Sequence, residues 1–139
     1  DVSVKTIYSN DSGVGFLVSV NGMNLFHAGD HANRTRDLSG DYVPEIDYIK
    51  DMGLSIDMAF LPVSGCNFGD QVAVQLGDFY TIKNLKPEII FPMHAITNEF
   101  RYEEFEELAK EENLSGDIKC AKIRGDRFLY KKNKGIVLK

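Results

Sequence analysis

Residues 13–34, GVGFLVSVNGMNLFHAGDHANR, decide how this chain folds and where its chemistry sits. Two apolar runs meet at Asn21-Gly22, a pair that accepts positive φ at both central positions of a type I′ turn, so residues 13–28 read as a β-hairpin. The first run carries apolar residues on both of its faces, which predicts a sheet covered on both sides. The second run ends at Gly29-Asp30, and a polar stretch from Gly29 to Tyr42 follows. Loops this long and polar between ordered elements are common locations for binding and catalytic groups.

Outward from the hairpin, Val2, Val4 and Ile7 mark a strand that begins at once. A chain that opens on Asp1 rather than Met, directly in a strand, is expected to continue a longer protein. Downstream, helices alternate with strands. Pro44 to Met52 reads as a short helix with Pro in its first turn and Gly53 at its end. Ile56 to Val63 is an apolar strand. Val72, Leu76, Phe79 and Ile82 recur every three or four residues, predicting an amphipathic helix over 70–85 with Asp70 as its cap, and Pro87 prevents its continuation. Ile89-Ile90-Phe91 forms a buried strand that ends at Pro92-Met93-His94. Tyr102, Phe105, Leu108 and Ala109 mark a helix that stops near Ser115-Gly116. Strands around 118–123 and 128–132 are expected to close the sheet. The order, a β-hairpin, then βαβα, then β, is that of an α/β layer with a mixed sheet.

The 139 residues fit one domain, large enough to bury a core without disulfide staples. An apolar share of 43% and a charged share of 27% are globular values that exclude disorder, collagen-like repeats and a coiled-coil rod. A net charge of −5 argues against a nucleic-acid partner, whose binding draws on phosphate neutralisation. Charge is uneven: residues 103–112 hold six Glu and one Lys, and residues 117–139 hold eight basic residues against two acidic ones. Two solvated faces of opposite sign account for this, with a basic docking site the lesser reading. No apolar run reaches the length of a membrane span and the N-terminus lacks a signal pattern, so a cytoplasmic location is expected, subject to any targeting segment upstream of Asp1. Cys66 and Cys120 belong to no metal or disulfide spacing and read as small buried thiols.

The chemistry-bearing candidates are the three histidines and their neighbours. In FHAGDH, Gly29 allows a sharp turn that leaves Asp30 and His31 outside the carboxyl end of the sheet, where α/β ligand sites form. His94 also sits where a strand gives way to a loop, so the two strand ends are expected to face one crevice. Imidazole and carboxylate are ligand types for zinc, manganese or iron, and a carboxylate can bridge two metals. The plainer readings stand beside this one. Asp30 after Gly can organise a turn with its own side chain, and a histidine at a strand end can be a hydrogen-bonded packing residue. His27, within the apolar strand, reads as buried or partly buried. Ser9-Asn10-Asp11-Ser12-Gly13 has turn composition. Ser64-Gly65-Cys66-Asn67 resembles a nucleophile loop only superficially, because no base adjoins Cys66 in sequence. Asn98, Glu99 and Arg101 could support His94 from behind, although a helix cap explains Asn98 equally well.

These strings, with IDMAFLPVSG and IKNLKPEIIFPMHA further on, resemble the C-terminal half of the metallo-β-lactamase superfamily, particularly the ascorbate-6-phosphate lactonase-like branch. The resemblance implies half of an αβ/βα sandwich, a mixed sheet with helices on one face. It implies that Asp30 bridges two metals, two zinc ions in a full site with manganese or iron as alternatives, and that His94 is the last ligand. His31 then lines the substrate pocket or adds a ligand. The family's His-x-His-x-Asp-His loop is absent from these residues. Its middle histidine is also absent from Tyr8 to Gly13, which leaves Asp11 or Ser9 as substitutes.

The implied function is a metal-dependent hydrolase that cleaves an ester, lactone or phosphodiester of a small-molecule substrate with hydroxide held on the metals, this portion alone being inactive. The missing N-terminal half or a second copy is expected to cover an exposed sheet face. The alternative is a non-catalytic or metal-free relative that binds a small anionic ligand or a protein partner. An unrelated doubly wound domain would instead have a parallel sheet and would keep Asp30 away from His94.

Overall fold

The computed structural model describes residues 1–66, 69–95 and 97–138, with the side chain of Leu138 left out. Among the described residues, eight strands and three helices run in the order β1 (Val2–Tyr8), β2 (Val14–Val20), β3 (Met23–His27), α1 (Tyr42–Asp51), β4 (Met58–Pro62), α2 (Gln71–Leu85), β5 (Ile89–Met93), α3 (Phe100–Glu111), β6 (Asp117–Ile118), β7 (Leu129–Lys131) and β8 (Gly135–Leu138). The first six strands form one sheet in sequence order. Strands β1 to β3 pair antiparallel, and β3 to β6 pair parallel, so the sheet is mixed.

The hairpin follows from its turn. Asn21 and Gly22 have φ of 51° and 76°, and the register Val20 opposite Met23 matches a two-residue type I′ loop. Because side chains alternate across a strand, that register sorts the residues of every strand onto two faces. Lys5, Leu17, Phe26, Ala59, Ile90 and Ile118 form one cross-sheet row, and its inner members are fully buried. All three helices contribute to the same cluster on this side, through Ile46 and Ile49 of α1, Ile82 and Leu85 of α2, and Phe105 of α3. Each such side chain contributes roughly 1.5–3 kcal/mol of burial free energy.

The opposite face carries Phe16, His27, Phe60 and Phe91 in the adjacent row. His27 stacks on Phe60 at 5.5 Å and Phe60 on Phe91 at 5.1 Å, and Phe128 meets Phe91 edge-on at 5.2 Å. Towards β1 this face is open: Val4, Phe16 and Val14 are 54%, 41% and 38% exposed. The cover expected on both sides of β2 is therefore present on one side only among the described residues. His27, expected to be buried or partly buried, keeps one ring face on Phe60 but is exposed as a residue, because it points to this uncovered face.

The end of the chain departs from expectation. Only Asp117 and Ile118 join the sheet, and β7 pairs with β8 in a separate two-stranded sheet. After Ile118 the Asp126 carboxylate accepts the amides of Lys122 and Ile123, so that turn is closed by a side chain and not by a neighbouring strand. The small sheet is held by polar anchors instead. Tyr130 Oη donates to Glu88 at 2.7 Å and lies 3.1 Å from the buried Asp57 carboxylate.

Helix α2 starts at the expected cap, with Asp70 Oδ1 accepting from the Val72 amide at 3.0 Å. Its burial follows the expected apolar stripe only in part, with Ile82 in the core and Phe79 packed against it. Val72 is 46% exposed, whereas Gln75, Asp78 and Thr81 are buried. Gly77 explains why: a Cβ there would lie 2.4 Å from Asn33 Cβ and 3.0 Å from the Tyr42 ring, so the 28–41 loop packs directly on the helix backbone. Polar bonds join α2 to the start of α1 and to that loop. Tyr42 Oη and Thr81 Oγ1 share a 2.6 Å hydrogen bond, and Asn33 Nδ2 donates to Ala73 O at 2.7 Å.

Within this seam Asp78 Oδ2 has no hydrogen-bond partner among the described residues, and burial pushes its carboxyl well above the ordinary value of 3.8. A carboxyl raised in the folded state stabilises fully below the unfolded value, and that contribution is lost as pH rises through the folded value. Asp78→Asn in the intact protein is therefore expected to raise stability at neutral and alkaline pH by about 1–3 kcal/mol and to flatten the decline above pH 4. Thermal unfolding of both proteins across pH tests this, and parallel profiles would contradict it.

Candidate functional site

The parallel strands β3, β4 and β5 lie side by side, and the segments leaving their carboxyl ends border a cavity of about 450 Å3. Asp30 comes from the first segment, Ser64 and Cys66 from the second, and His94 from the third. Asp11 and Arg34 stand on the rim.

Asp30 owes its direction to Gly29. At φ 63° this glycine turns the chain beneath β2, where a Cβ would come 3.1 Å from Val14 O. The Ala28 amide still bonds to Phe60 O at 3.0 Å, so the sheet continues up to the turn and stops there. Asp30 is then left with a largely exposed side chain.

His94 reaches the same place from β5. Its Nε2 lies 3.2 Å from Asp30 Oδ1. His94 has φ 63° and Cys66 φ 51°, a left-handed conformation that costs a non-glycine residue roughly 1–2 kcal/mol. Tertiary bonds hold the His94 backbone: Ser64 Oγ donates to its carbonyl, and the Val63 amide bonds to Met93 O at 3.1 Å. Strain of this kind collects where function needs an unusual side-chain direction. Cys66 Sγ lies 3.5 Å from His94 Nδ1. Burial, reinforced by the charge of Asp30, pushes the Cys66 thiol up.

His31 is a correction to the sequence reading. It neither lines the cavity nor lies free in solvent: it is fully buried and stacked on Tyr42 at 4.7 Å. Its Nδ1 accepts the Asn10 amide at 3.2 Å, which leaves Nε2–H to face Tyr42 O at 3.3 Å. Both nitrogens are committed within the fold, so the ring has no lone pair to offer a ligand. Burial holds its imidazole below the ordinary value, in keeping with a neutral ring. Asn10, read from sequence as part of a plain turn, clamps this loop from the other side, donating to Ala32 O at 2.7 Å and accepting from the Ala32 amide at 3.3 Å.

Asp11 lies at the cavity rim, where it meets Arg34 at 3.4 Å. Ser9 Oγ accepts the Asp11 amide and so shapes the turn. His27 points to the aromatic sheet face; burial, with the neighbouring His94 second, holds its imidazole below the ordinary value. Neither cysteine is a fully buried core thiol. Cys66 borders the cavity, and Cys120 lies 3.7 Å from Glu106 Oε2, with burial pushing its thiol up to about 12. Asn67 lies outside the described residues. The first turn of α3 closes by backbone bonds, Arg101 N to Asn98 O at 2.9 Å, with no side-chain cap.

Asp30 and His94 are hard and borderline donors of the kind that hold zinc, manganese or iron. Among the described residues no group of three His, Cys, Asp or Glu surrounds one point. The pair therefore fits part of a metal site. No helix of the described residues is long and apolar enough to cross a membrane.

No protein-family model matches the chain. Over 83 residues, 60% of its length, it is 39% identical to a UPF0173 metal-dependent hydrolase of Heliobacterium modesticaldum, of which those residues are 31%. Among solved structures it is similar to a metallo hydrolase from Ignicoccus hospitalis, with a TM-score of 0.57 and 18% identity over 87% of this chain and 49% of that one. A protein from Thermotoga maritima assigned to the metallo-β-lactamase superfamily as a Zn-dependent hydrolase gives 0.51 and 18% over 77% and 50%. A variant of the CmlA β-hydroxylase gives 0.51 and 8% over 85% and 29%. The chain thus spans about a third of the curated relative and about half of the two hydrolase structures. These likenesses establish the fold, a six-stranded mixed sheet with helices, and a fold shared with a hydroxylase does not by itself choose the reaction.

Proposed function

We propose that this chain, whose fold is metallo-β-lactamase-like, contributes Asp30 and His94 to the active site of a metal-dependent hydrolase. The observation that carries this reading is the 3.2 Å approach of His94 Nε2 to Asp30 Oδ1 at the carboxyl ends of β3 and β5, on the wall of a cavity. Two donors fall short of the three that a catalytic zinc ion takes from protein. The shortfall fits a chain that spans about half of its structural relatives, so the remaining donors are assigned to the rest of a longer protein, of which this is the C-terminal domain. The open sheet face around Phe16 is assigned to the same missing half, with a second copy as the alternative cover.

In the full site Asp30, through its carboxylate, and His94, through Nε2, would be the residues of this chain that hold the metals. Zinc is the ion proposed, two per full site, with manganese or iron as alternatives. Bound metal would supply an acidified water and polarise the scissile carbonyl or phosphoryl group. The protein's own residues do the rest. Arg34, more than half exposed on the rim, is placed to meet an anionic part of a small-molecule substrate, and Asp11 orients it. An ester, lactone or phosphodiester centre is the substrate class, and the lactonase-like branch is the finer reading of the sequence string. The net charge disfavours nucleic acid, and a cytoplasmic location is part of the proposal.

Metal analysis of the intact protein tests this. Stoichiometric transition metal is expected, with hydrolysis lost on chelation and restored by Zn2+. A preparation without stoichiometric metal, or hydrolysis that survives chelation, would overturn it. Retained binding of small anions without metal or turnover would favour the non-catalytic alternative.

A further inference from the structure

Cys66 and His94 are 28 positions apart, yet the loop after β4 brings the sulfur to 3.5 Å from Nδ1 while Nε2 faces Asp30. The imidazole is thus held at both nitrogens, and the two contacts have different demands. A neutral imidazole carries one N–H. While Nε2–H donates to Asp30, Nδ1 is an acceptor and needs a donor beside it. With Nε2 committed to a metal, the ring's one N–H would sit on Nδ1, which would then need an acceptor. A thiol meets both demands, as a weak S–H donor in the first state and a weak sulfur acceptor in the second.

We propose that Cys66 is the positioning residue of His94, keeping its ring aimed at Asp30 in both tautomers. This rests on the reading that Asp30 and His94 hold a metal. Histidine ligands ordinarily lean on an oxygen acceptor behind the ring, and here sulfur takes that place. Direct ligation by Cys66 fits the geometry less well, since Sγ contacts the ring nitrogen turned away from Asp30, and no three-donor group forms among the described residues. The backbone supports a built arrangement. Cys66 and His94 both adopt left-handed φ, and Ser64, two residues before Cys66, bonds the His94 carbonyl. The β4 and β5 loops are therefore joined where the two side chains meet.

The test uses the intact protein with Cys66→Val, Cys66→Ser and Asp30→Ala, reading Zn2+ affinity by chelator competition and the absorption of the Co2+-loaded form. Cys66→Val is expected to lose about 10–100-fold in affinity, the effect of removing a partner behind a ligand. Cys66→Ser, whose hydroxyl also donates and accepts, is expected to stay within a few-fold of wild type, and the wild-type cobalt spectrum to lack a sulfur-to-cobalt charge-transfer band. Wild-type affinity in Cys66→Val, or a serine variant as weak as the valine one, would overturn the proposal. A charge-transfer band that disappears in Cys66→Ser would also overturn it, making Cys66 a ligand. Failure of the underlying metal reading looks different: Asp30→Ala would bind metal as wild type does.

Discussion

Asp30→Ala in the intact protein is expected to lower metal affinity and turnover by at least about 100-fold, more than removal of a group that only supports a ligand, while leaving the fold in place. The separation of the two effects follows from how Asp30 is held. Its position comes from Gly29, at φ 63° under Val14, and from His31, buried one residue later with both ring nitrogens bonded. Its own side chain is 59% exposed and packs on nothing that the core needs. Truncating it should change unfolding free energy by no more than about 0.5 kcal/mol, as for surface positions away from special features. Asp30→Asn keeps the shape and removes the charge, and should resemble the alanine variant if the carboxylate is a ligand. Metal content, turnover and thermal unfolding of the three proteins decide the matter. Variants that keep both metal and turnover would sink the assignment of Asp30, and variants that also unfold would mark it as a turn-forming residue.

Phe16→Glu is expected to destabilise the intact protein by about 3–5 kcal/mol, the cost of leaving a charge buried without a partner. Here Phe16 stands at the open end of the aromatic row, 41% exposed, while its row neighbours His27, Phe60 and Phe91 stack in sequence and Phe128 meets Phe91 edge-on at the far end. If the rest of a longer protein or a second copy lies on this face, the carboxylate has no water to turn to. Val72→Glu is the control, since Val72 is exposed to a similar degree in the first turn of α2, where a carboxylate is favoured by the helix dipole. That variant should stay within about 0.5 kcal/mol of wild type. Denaturant unfolding of the intact variants reads the difference directly. Equal tolerance of both substitutions would mean that the aromatic face is uncovered in the working protein.

Local chemistry was legible where a few neighbouring residues decide the outcome. Asn21-Gly22 specified the turn and thereby the register of β2 on β3, and Asp70 specified the start of α2. The strand ends at Asp30 and His94 could be expected to face one crevice, because α/β topology sends both loops to the same edge. Three features were not legible. The burial of His31 depends on Asn10 and Tyr42, 21 and 11 positions away. The full buried side of α2 depends on Gly77 admitting the 28–41 loop, which adds a polar seam beside the apolar residues that meet the core. The strand expected around 128–132 looked competent to extend the sheet, but Asp126 closes the turn before it and Tyr130 ties it to Asp57 and Glu88 instead.

By itself the sequence determined the hairpin, the alternation of elements and the mixed α/β class, because hydrophobic period, turn residues and caps act over a few positions. It also named Asp30 and His94. Only the tertiary structure decided that these two meet at 3.2 Å, that Cys66 stands behind His94, that His31 is spent on the fold, and that among the described residues one sheet face is open towards β1. A histidine's use is set by what lies at each of its two nitrogens, and those partners come from strands far apart in the chain. Residue type and strand-end position therefore made Asp30 and His94 candidates, while the neighbours of each nitrogen and oxygen were set by packing.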